Sequence, residues 1–336
     1  MKRKAIISGA NGQDASYLAE FLLNKGYDVY GLIRHSALKD QDNRLGRILH
    51  IKDKITLVEC DVTSAPTVSK IIQDIQPDEF YHLAAQSFVK TSFEDPNTTY
   101  NINFMGTVNI LQSISLLAPS CKFYFAATSE MFGKVLENPQ SEITPFNPRS
   151  PYGIAKVAGY YATKLARDTD GLFACSGILF NHESPRRGRE FVTQKIVMDL
   201  SAIYKGEKKV LELGNMDAKR DWGFSGDYVE AMWTMLQQDK PDDYLIATGE
   251  NHTVREFVET ASKRFGFNLE WSGSGADEIG TDKNSGIVIV RINKSFYRPA
   301  EVETLCGNSS KAKRTLNWKA KTSFNDLVDM MVDAVK

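Results

Sequence analysis

The chain has 336 residues, 42% hydrophobic and 25% charged, enough apolar material for one elaborated domain or two and too ordinary a balance for a disordered or fibrous chain. Its 41 Lys and Arg nearly cancel 42 Asp and Glu, leaving a net charge of -1. The basic field of a nucleic-acid binder is therefore missing, and any anionic ligand must be held locally.

Read from its start, "MKRKAIISGANGQD" offers only three or four apolar residues before Gly9. That is too short for a signal-peptide core or a membrane span, so a cytoplasmic protein with no membrane partner is expected. "KAIIS" predicts a first strand, and Gly9 and Gly12 follow it directly, with a helical pattern over Tyr17 to Lys25. Glycines placed so let backbone amides and a helix N-terminus approach a pyrophosphate, which makes Gly9, Gly12, Gln13 and Asp14 candidate cofactor contacts. The spacing is G-x-x-G-x-x-A, with Ala15 at the third position, and a tight turn with no ligand is the alternative. The second strand, "DVYGLI", runs into Arg34, where NAD-specific folds carry an acidic residue for the ribose 2'-hydroxyl. Arg34, with Arg44 and Arg47 nearby, favours the 2'-phosphate of NADP; the alternative is an exposed basic loop.

"ITLVEC" and "EFYHLA" predict the third and fourth strands, separated by a helical pattern over Val68 to Ile75. Asp61 and Val62 after one, and Leu83 and Ala84 after the other, fall where adenine and ribose contacts would lie. The fifth strand, "KFYFAA", ends in "TSEMFG", which sets Thr128, Ser129 and Glu130 where a buried strand stops. A surface turn could use these groups for its own backbone alone. Tyr152 and Lys156, at i and i+4, share one face of a predicted helix. Tyr-x-x-x-Lys occurs three times, at 152/156, 160/164 and 204/208, but only the first opens a helix after a strand ending in Thr-Ser. An ammonium beside a phenol favours phenolate, so Tyr152 is expected to have a lowered pKa and to act as a general base, with Thr128 hydrogen-bonding the substrate hydroxyl.

"FACSGIL" predicts a sixth strand. The alternation to this point argues for an α/β fold, a doubly wound parallel sheet of Rossmann type. Past Leu179 come the basic "FNHESPRRGREF", a helix over "VTQKIVMDLSAIYKGEK", a returning strand in "YLIATG" (244–249) and a loop at "SGSGADEIG" (272–280). We expect a cofactor domain of residues 1–180 plus about 216–250, and a smaller, mainly C-terminal substrate-binding lobe of about 181–215 plus 251–336. Cys60, Cys121, Cys175 and Cys306 form no CxxC pair and have no His at metal-ligand spacing, so reduced thiols and no metal are expected.

The glycine turn, the Thr at the fifth strand end and Tyr-x-x-x-Lys resemble the extended short-chain dehydrogenase/reductase family of nucleotide-sugar enzymes. Within it, "GANGQDASYLAEFLLNKGY", "TSEMFGKV", "PRSPYGIAK", "FNHESPRRG", "LGNMDAKRDWG" and "YRPAEVE" are similar to the GDP-hexose 4,6-dehydratases. The resemblance implies an NADP-dependent hydro-lyase acting on a GDP-sugar, GDP-mannose first, and assembling as a homodimer or homotetramer, with the 34–47 loop a candidate for subunit contact. It implies catalytic roles for Thr128, Glu130, Tyr152 and Lys156, and cofactor contacts from His182 and Arg187. It places Ser87, Ser129, Asn181, Lys195, Arg220, Arg298 and Glu301 on the substrate. Ala15 and Phe88 depart from the family's usual Gly and His. A GDP-heptose or GDP-N-acetylhexosamine as substrate, a nucleotide-sugar epimerase, or an inactive NADP-binding regulator are the alternatives. Glu130 argues against a simple 4-epimerase, which needs no carboxylate there.

Overall fold

The computed structural model describes residues 2–39, 45–296 and 304–336. Six of its strands follow the predicted runs: β1 Lys4–Ser8, β2 Asp28–Ile33, β3 Thr56–Glu59, β4 Glu79–His82, β5 Lys122–Thr128 and β6 Ala174–Leu179. Together with β11 (Tyr244–Ile246) they form one seven-stranded sheet in the order β11-β6-β5-β4-β1-β2-β3. All neighbouring pairs are parallel. Strand order reverses between β1 and β4, and that switch point opens a crevice at the carboxyl ends of the strands.

The central strands read as continuous apolar runs because both faces are covered. Side chains alternate across the sheet: Ile7 and Tyr124 join a core with Leu18, Leu22 and Met232 on one face, while Ile6, Phe123 and Phe125 join Ile110 and Ile114 on the other. Helix α1 (Gln13–Asn24) begins immediately after Gly12 and has no side-chain cap, so the orphan amides of its first turn are presented toward the crevice. Helices α2 (His35–Lys39), α3 (Ala65–Ile75), α4 (Val89–Glu94), α5 (Pro96–Tyr100) and α6 (Gly106–Leu117) complete the first half, with a π-turn at Asn101–Met105.

Helix α7 (Pro151–Asp170) has firm punctuation at both ends. Ser150 accepts a 3.0 Å bond from the Gly153 amide, Pro151 sits in the first turn, and Gly171 closes the helix at φ 69°, each the residue type its position favours. The register of Tyr152 follows from that start.

Beyond β6 lie β7 (Asn181–Glu183), α8 (Val192–Tyr204), β8 (Leu211–Leu213), β9 (Lys219–Arg220), β10 (Trp222–Phe224) and α9 (Ser225–Leu236). After β11 follow β12 (His252–Thr253), α10 (Val254–Arg264), β13 (Leu269–Ser272), β14 (Ile279–Asp282), β15 (Val288–Ile292), α11 (Ser310–Leu316) and α12 (Phe324–Asp333). A third apolar cluster, including Val197, Leu200, Trp222, Phe257, Val290 and Met331, forms a core of its own. Ala312, Leu316 and Trp318 instead pack with the first face of the large sheet.

The expected strand at 244–249 is shorter, ending at Ile246, and adds to the β6 edge of the sheet. The stretch 272–280 is not all loop. It joins β13 to β14, and Ser272 pairs with Ile279 across the hairpin. Among the described residues no helix is long and apolar enough to cross a membrane, and no group of His, Cys, Asp and Glu could hold a metal. All four cysteines are free.

Candidate active site

At the switch point the strand ends enclose a cleft of about 600 Å³. The structure brings to it Gly9, Gly12, Gln13, Asp14, Arg34, Asp61, Val62, Leu83, Ala84, Ser87, Thr128, Ser129, Glu130, Tyr152, Lys156, Asn181, His182 and Arg187. Residues more than 170 positions apart meet because every strand ends on the same edge of one parallel sheet.

The glycine turn is shaped by close approach. Gly9 sits at φ +72°, and a Cβ there would lie 2.9 Å from the Ala84 Cα, so a side chain is excluded both by conformation and by space. Its carbonyl accepts the Gly12 amide at 2.8 Å. Ala15 is buried at 1% exposure and fits the position where a third glycine was expected. Arg34 is exposed at the cleft rim. Arg47 is fastened there, donating to the carbonyls of Arg186 at 2.6 Å and Asn11 at 3.3 Å. Arg44 lies outside the described residues.

The opening of α7 presses against the end of β5. Thr128 caps the short turn Ser129–Met131, its hydroxyl accepting the Glu130 amide at 3.3 Å. A Cβ on Gly153 would come 2.8 Å from the Glu130 carbonyl, so the absence of a side chain there lets Tyr152 and Glu130 share one wall. Thr128 also stands beside the Tyr152 hydroxyl and favours its phenolate.

The phenol differs from expectation. Burial pushes Tyr152 up to about 12; Thr128 and Arg187 oppose the rise, while Glu130 and Asp14 add to it. Lys156 does not reverse it, because its ammonium is 3% exposed and donates to the Ala126 carbonyl at 2.7 Å, with Nζ 5.9 Å from the Tyr152 ring centroid. Burial brings Lys156 itself down to about 7. Desolvation of both groups outweighs their mutual attraction here.

"FNHESPRRG" is not a solvated basic loop. Arg186 pairs with Glu20 at 2.6 Å and donates to Ser16 at 3.0 Å, which clamps the segment to α1. Arg187 pairs with Glu183 at 3.1 Å and stacks 3.6 Å from the Phe191 centroid at the cleft. Arg189 is exposed. Asp14, held well below the ordinary carboxylate range, meets His182 at 2.8 Å; burial alone would raise it, and the charge and hydrogen bonds of His182 outweigh that.

Lys195 and Arg220 do not line this cleft. Lys195 pairs with Asp199 at 2.5 Å on α8, and Arg220, 7% exposed on β9, donates to the Lys219 carbonyl at 2.9 Å. The helix that carries Lys195 packs into the third core, and the strand that carries Arg220 pairs with His252–Thr253. Arg298 and Glu301 lie outside the described residues. Sequence reasoning missed Glu190 and Phe191 as cleft residues. The signal was Phe88: its ring meets Phe191 edge-on at 5.9 Å, so an apolar residue at one position predicts a partner across the cleft.

The chain is similar to known proteins over nearly its whole length. A family model described as GDP-mannose 4,6 dehydratase matches residues 6–331. The chain is 48% identical to the GDP-mannose 4,6 dehydratase of Drosophila melanogaster, covering 98% of this chain and 85% of that one. It is likewise 48% identical to the human enzyme of the same name, covering 98% and 90%. Among solved structures, dTDP-glucose 4,6-dehydratase of Bacillus anthracis in complex with NAD superposes with TM-score 0.81 at 19% identity, over 99% and 96% of the two chains. RMD of Pseudomonas aeruginosa complexed with NADPH gives 0.78 at 19%, over 99% of each. At such identities the structural likeness speaks for the fold.

Proposed function

This chain belongs to the GDP-mannose 4,6-dehydratase family, and on that premise we propose that it converts GDP-mannose to GDP-4-keto-6-deoxymannose with NADP as a resident cofactor. The observation that carries the reading is the meeting of Thr128, Glu130, Tyr152 and Lys156 on one wall of a cleft that opens at a glycine turn. The residues fit a dinucleotide: a Cβ would fill the Gly9 cradle, the uncapped α1 amides face it, and Arg34, Arg47 and Arg187 supply cations. Arg34 stands at the β2 end where a carboxylate would serve an NAD ribose, which supports NADP.

The nicotinamide supplies a hydride acceptor at sugar C4 and a hydride donor at C6. Around that exchange the chain's residues move protons. Tyr152 takes the C4 hydroxyl proton, and Thr128 orients that hydroxyl. A phenol at about 12 is a poor base until phenolate is favoured, so cationic charge close to Tyr152 is part of the mechanism; Arg187 contributes to it, and so does Lys156 where it holds its proton. The C4 ketone acidifies C5. Glu130 removes the C5 proton and passes it to the C6 hydroxyl, which leaves as water, and the proton that Tyr152 took from the C4 hydroxyl returns to C5 when C6 is reduced. The Phe88 and Phe191 rings pack edge to face on the cleft lining.

The sheet body (1–180 with about 216–250) holds the cofactor in this reading, and the remaining lobe holds the GDP-sugar through Asn181, Lys195, Arg298 and Glu301, with Arg220 joining them from the 216–250 segment. Exposed Ile154, Tyr161 and Leu165 lie along α7 at helical spacing, with Met105 also exposed. Such a face supports a homodimer or homotetramer. Four free cysteines suit a cytoplasmic enzyme. Incubation with a panel of GDP- and UDP-sugars, followed by mass detection, tests the assignment: loss of water from GDP-mannose supports it, and loss only from UDP-sugars refutes the substrate.

A further inference from the structure

The resemblance gives His182 a direct contact with the cofactor, yet both nitrogens of its ring are engaged by protein. Nδ1 lies 2.7 Å from the Phe180 carbonyl oxygen and Nε2 lies 2.8 Å from Asp14 Oδ2. A carbonyl can only accept. The Asp14 carboxylate also accepts, taking the Gln13 amide at 3.0 Å and the Ser225 hydroxyl at 2.7 Å on its other oxygen. Two acceptors require two N–H groups, so His182 is an imidazolium.

The groups packed around the ring are consistent with a held cation. Asp14 faces it from α1, and Tyr228 stacks on it from α9 with centroids 4.8 Å apart at 28°. Arg187 opposes the charge from the following loop, and burial opposes it too, but Asp14 outweighs both and raises the imidazole. Glu183, the next residue on the strand, is taken up by Arg187 at 3.1 Å and Thr193 at 2.5 Å. The neighbouring contacts run the same way. Gln13 donates to the His182 carbonyl at 3.1 Å and accepts from Ser184 at 2.8 Å. Thus the first turn of α1, which cradles the pyrophosphate, is tied to β7, which carries Asn181, and through Ser225 to the end of β10.

We propose that His182 is a positioning residue: as a doubly donating imidazolium it clasps Asp14 of the cofactor turn to strand β7, and it acts on the cofactor through that turn rather than by ring contact. The inference rests on the nicotinamide-binding reading above. It carries a pH consequence with a definite sign. A base whose protonated form is favoured in the folded protein keeps its clasp at low pH and loses one of its two hydrogen bonds as pH rises through its raised pKa, so cofactor affinity falls on the alkaline side.

The test is a fluorescence titration of NADPH on the full chain from about pH 6 to about pH 9, for wild type, His182→Gln, His182→Asn and Asp14→Asn, with thermal melts to establish folding. A Gln amide nitrogen reaches the position of Nε2 and keeps the Asp14 bond without a charge, whereas Asn reaches only the position of Nδ1. Loss of a charge-assisted bond should weaken NADPH about tenfold in His182→Asn and Asp14→Asn. His182→Gln should stay within about threefold of wild type at low pH and lose the alkaline decline. Equal behaviour of the Gln and Asn variants, or a wild-type affinity flat across the range, overturns the clasp. If His182→Asn does not fold, Asp14→Asn and the wild-type pH profile decide the matter. Failure of the wild type to bind either NADPH or NADH would overturn the cofactor reading itself, and the clasp with it.

Discussion

Lys156→Met should stabilise the protein at low pH while abolishing turnover. The lysine is 3% exposed, and burial brings its ammonium from 10.5 to about 7. That fall, at about 1.4 kcal/mol for each tenfold change in acidity, corresponds to a burial cost on the order of 5 kcal/mol while the group is charged. Met has nearly the same length and no charge to desolvate. It leaves the Ala126 carbonyl without its 2.7 Å donor, which costs about 1–3 kcal/mol, so a net gain of about 2–4 kcal/mol follows for pH values below about 7. The pH dependence isolates the cause. Between about 7 and 10.5 the unfolded chain binds the proton and the native protein does not, so wild-type stability rises with pH over that window. The gap between variant and wild type should therefore close from neutral toward alkaline pH. Differential scanning fluorimetry of both proteins across this range measures it, since the remaining titrations cancel in the difference. A gap that stays constant with pH, or a variant less stable than wild type near pH 6, would refute the claim that Lys156 is held at a desolvation cost for its chemistry.

Glu130→Gln is nearly isosteric and cannot accept the C5 proton, so dehydration should fall about 10²- to 10⁴-fold while single-turnover absorbance still shows reduced cofactor forming; near-native deuterium uptake at C5 would make the carboxylate structural. Arg34→Ala should weaken NADP more than NAD, because a charge-paired phosphate contact is stronger than a neutral hydrogen bond, and equal losses measured by calorimetry would sink the 2'-phosphate assignment. Gly153→Ala places a methyl 2.8 Å from the Glu130 carbonyl, so kcat should drop with little change in KM for the GDP-sugar; a proportional rise in KM would mean that the turn does not set the catalytic wall.

The main sheet was legible because each of its strands is a short apolar run followed by turn residues, and helices with clear periodicity separate them. The glycine turn, Thr128 with Glu130, and Tyr152 with Lys156 were legible for a related reason: each stands at the end or start of an element in that pattern. The small sheet β13-β14-β15-β8 was not. Its strands have three to five residues and half-buried faces, and "SGSGADEIG" shows glycines where a hairpin also pairs. Local spacing also misjudged the phenol. The i, i+4 relation of Tyr152 and Lys156 gives their common face, but the direction of each pKa depends on burial and on the Ala126 carbonyl, which only the packed sheet reveals. For the same reason the partners of the "PRRG" arginines were not legible, since Glu20, Ser16 and Glu183 reach them from other elements.

The most direct test is to incubate the protein with GDP-mannose and a substoichiometric amount of NADP in heavy water, and to follow sugar mass and cofactor absorbance together. The account predicts a product lighter by one water, with deuterium at C5, many turnovers per cofactor and no net accumulation of NADPH, because the hydride taken from C4 returns at C6. Unchanged sugar mass, or NADPH accumulating in step with an oxidised sugar that has kept its C6 hydroxyl, would contradict it.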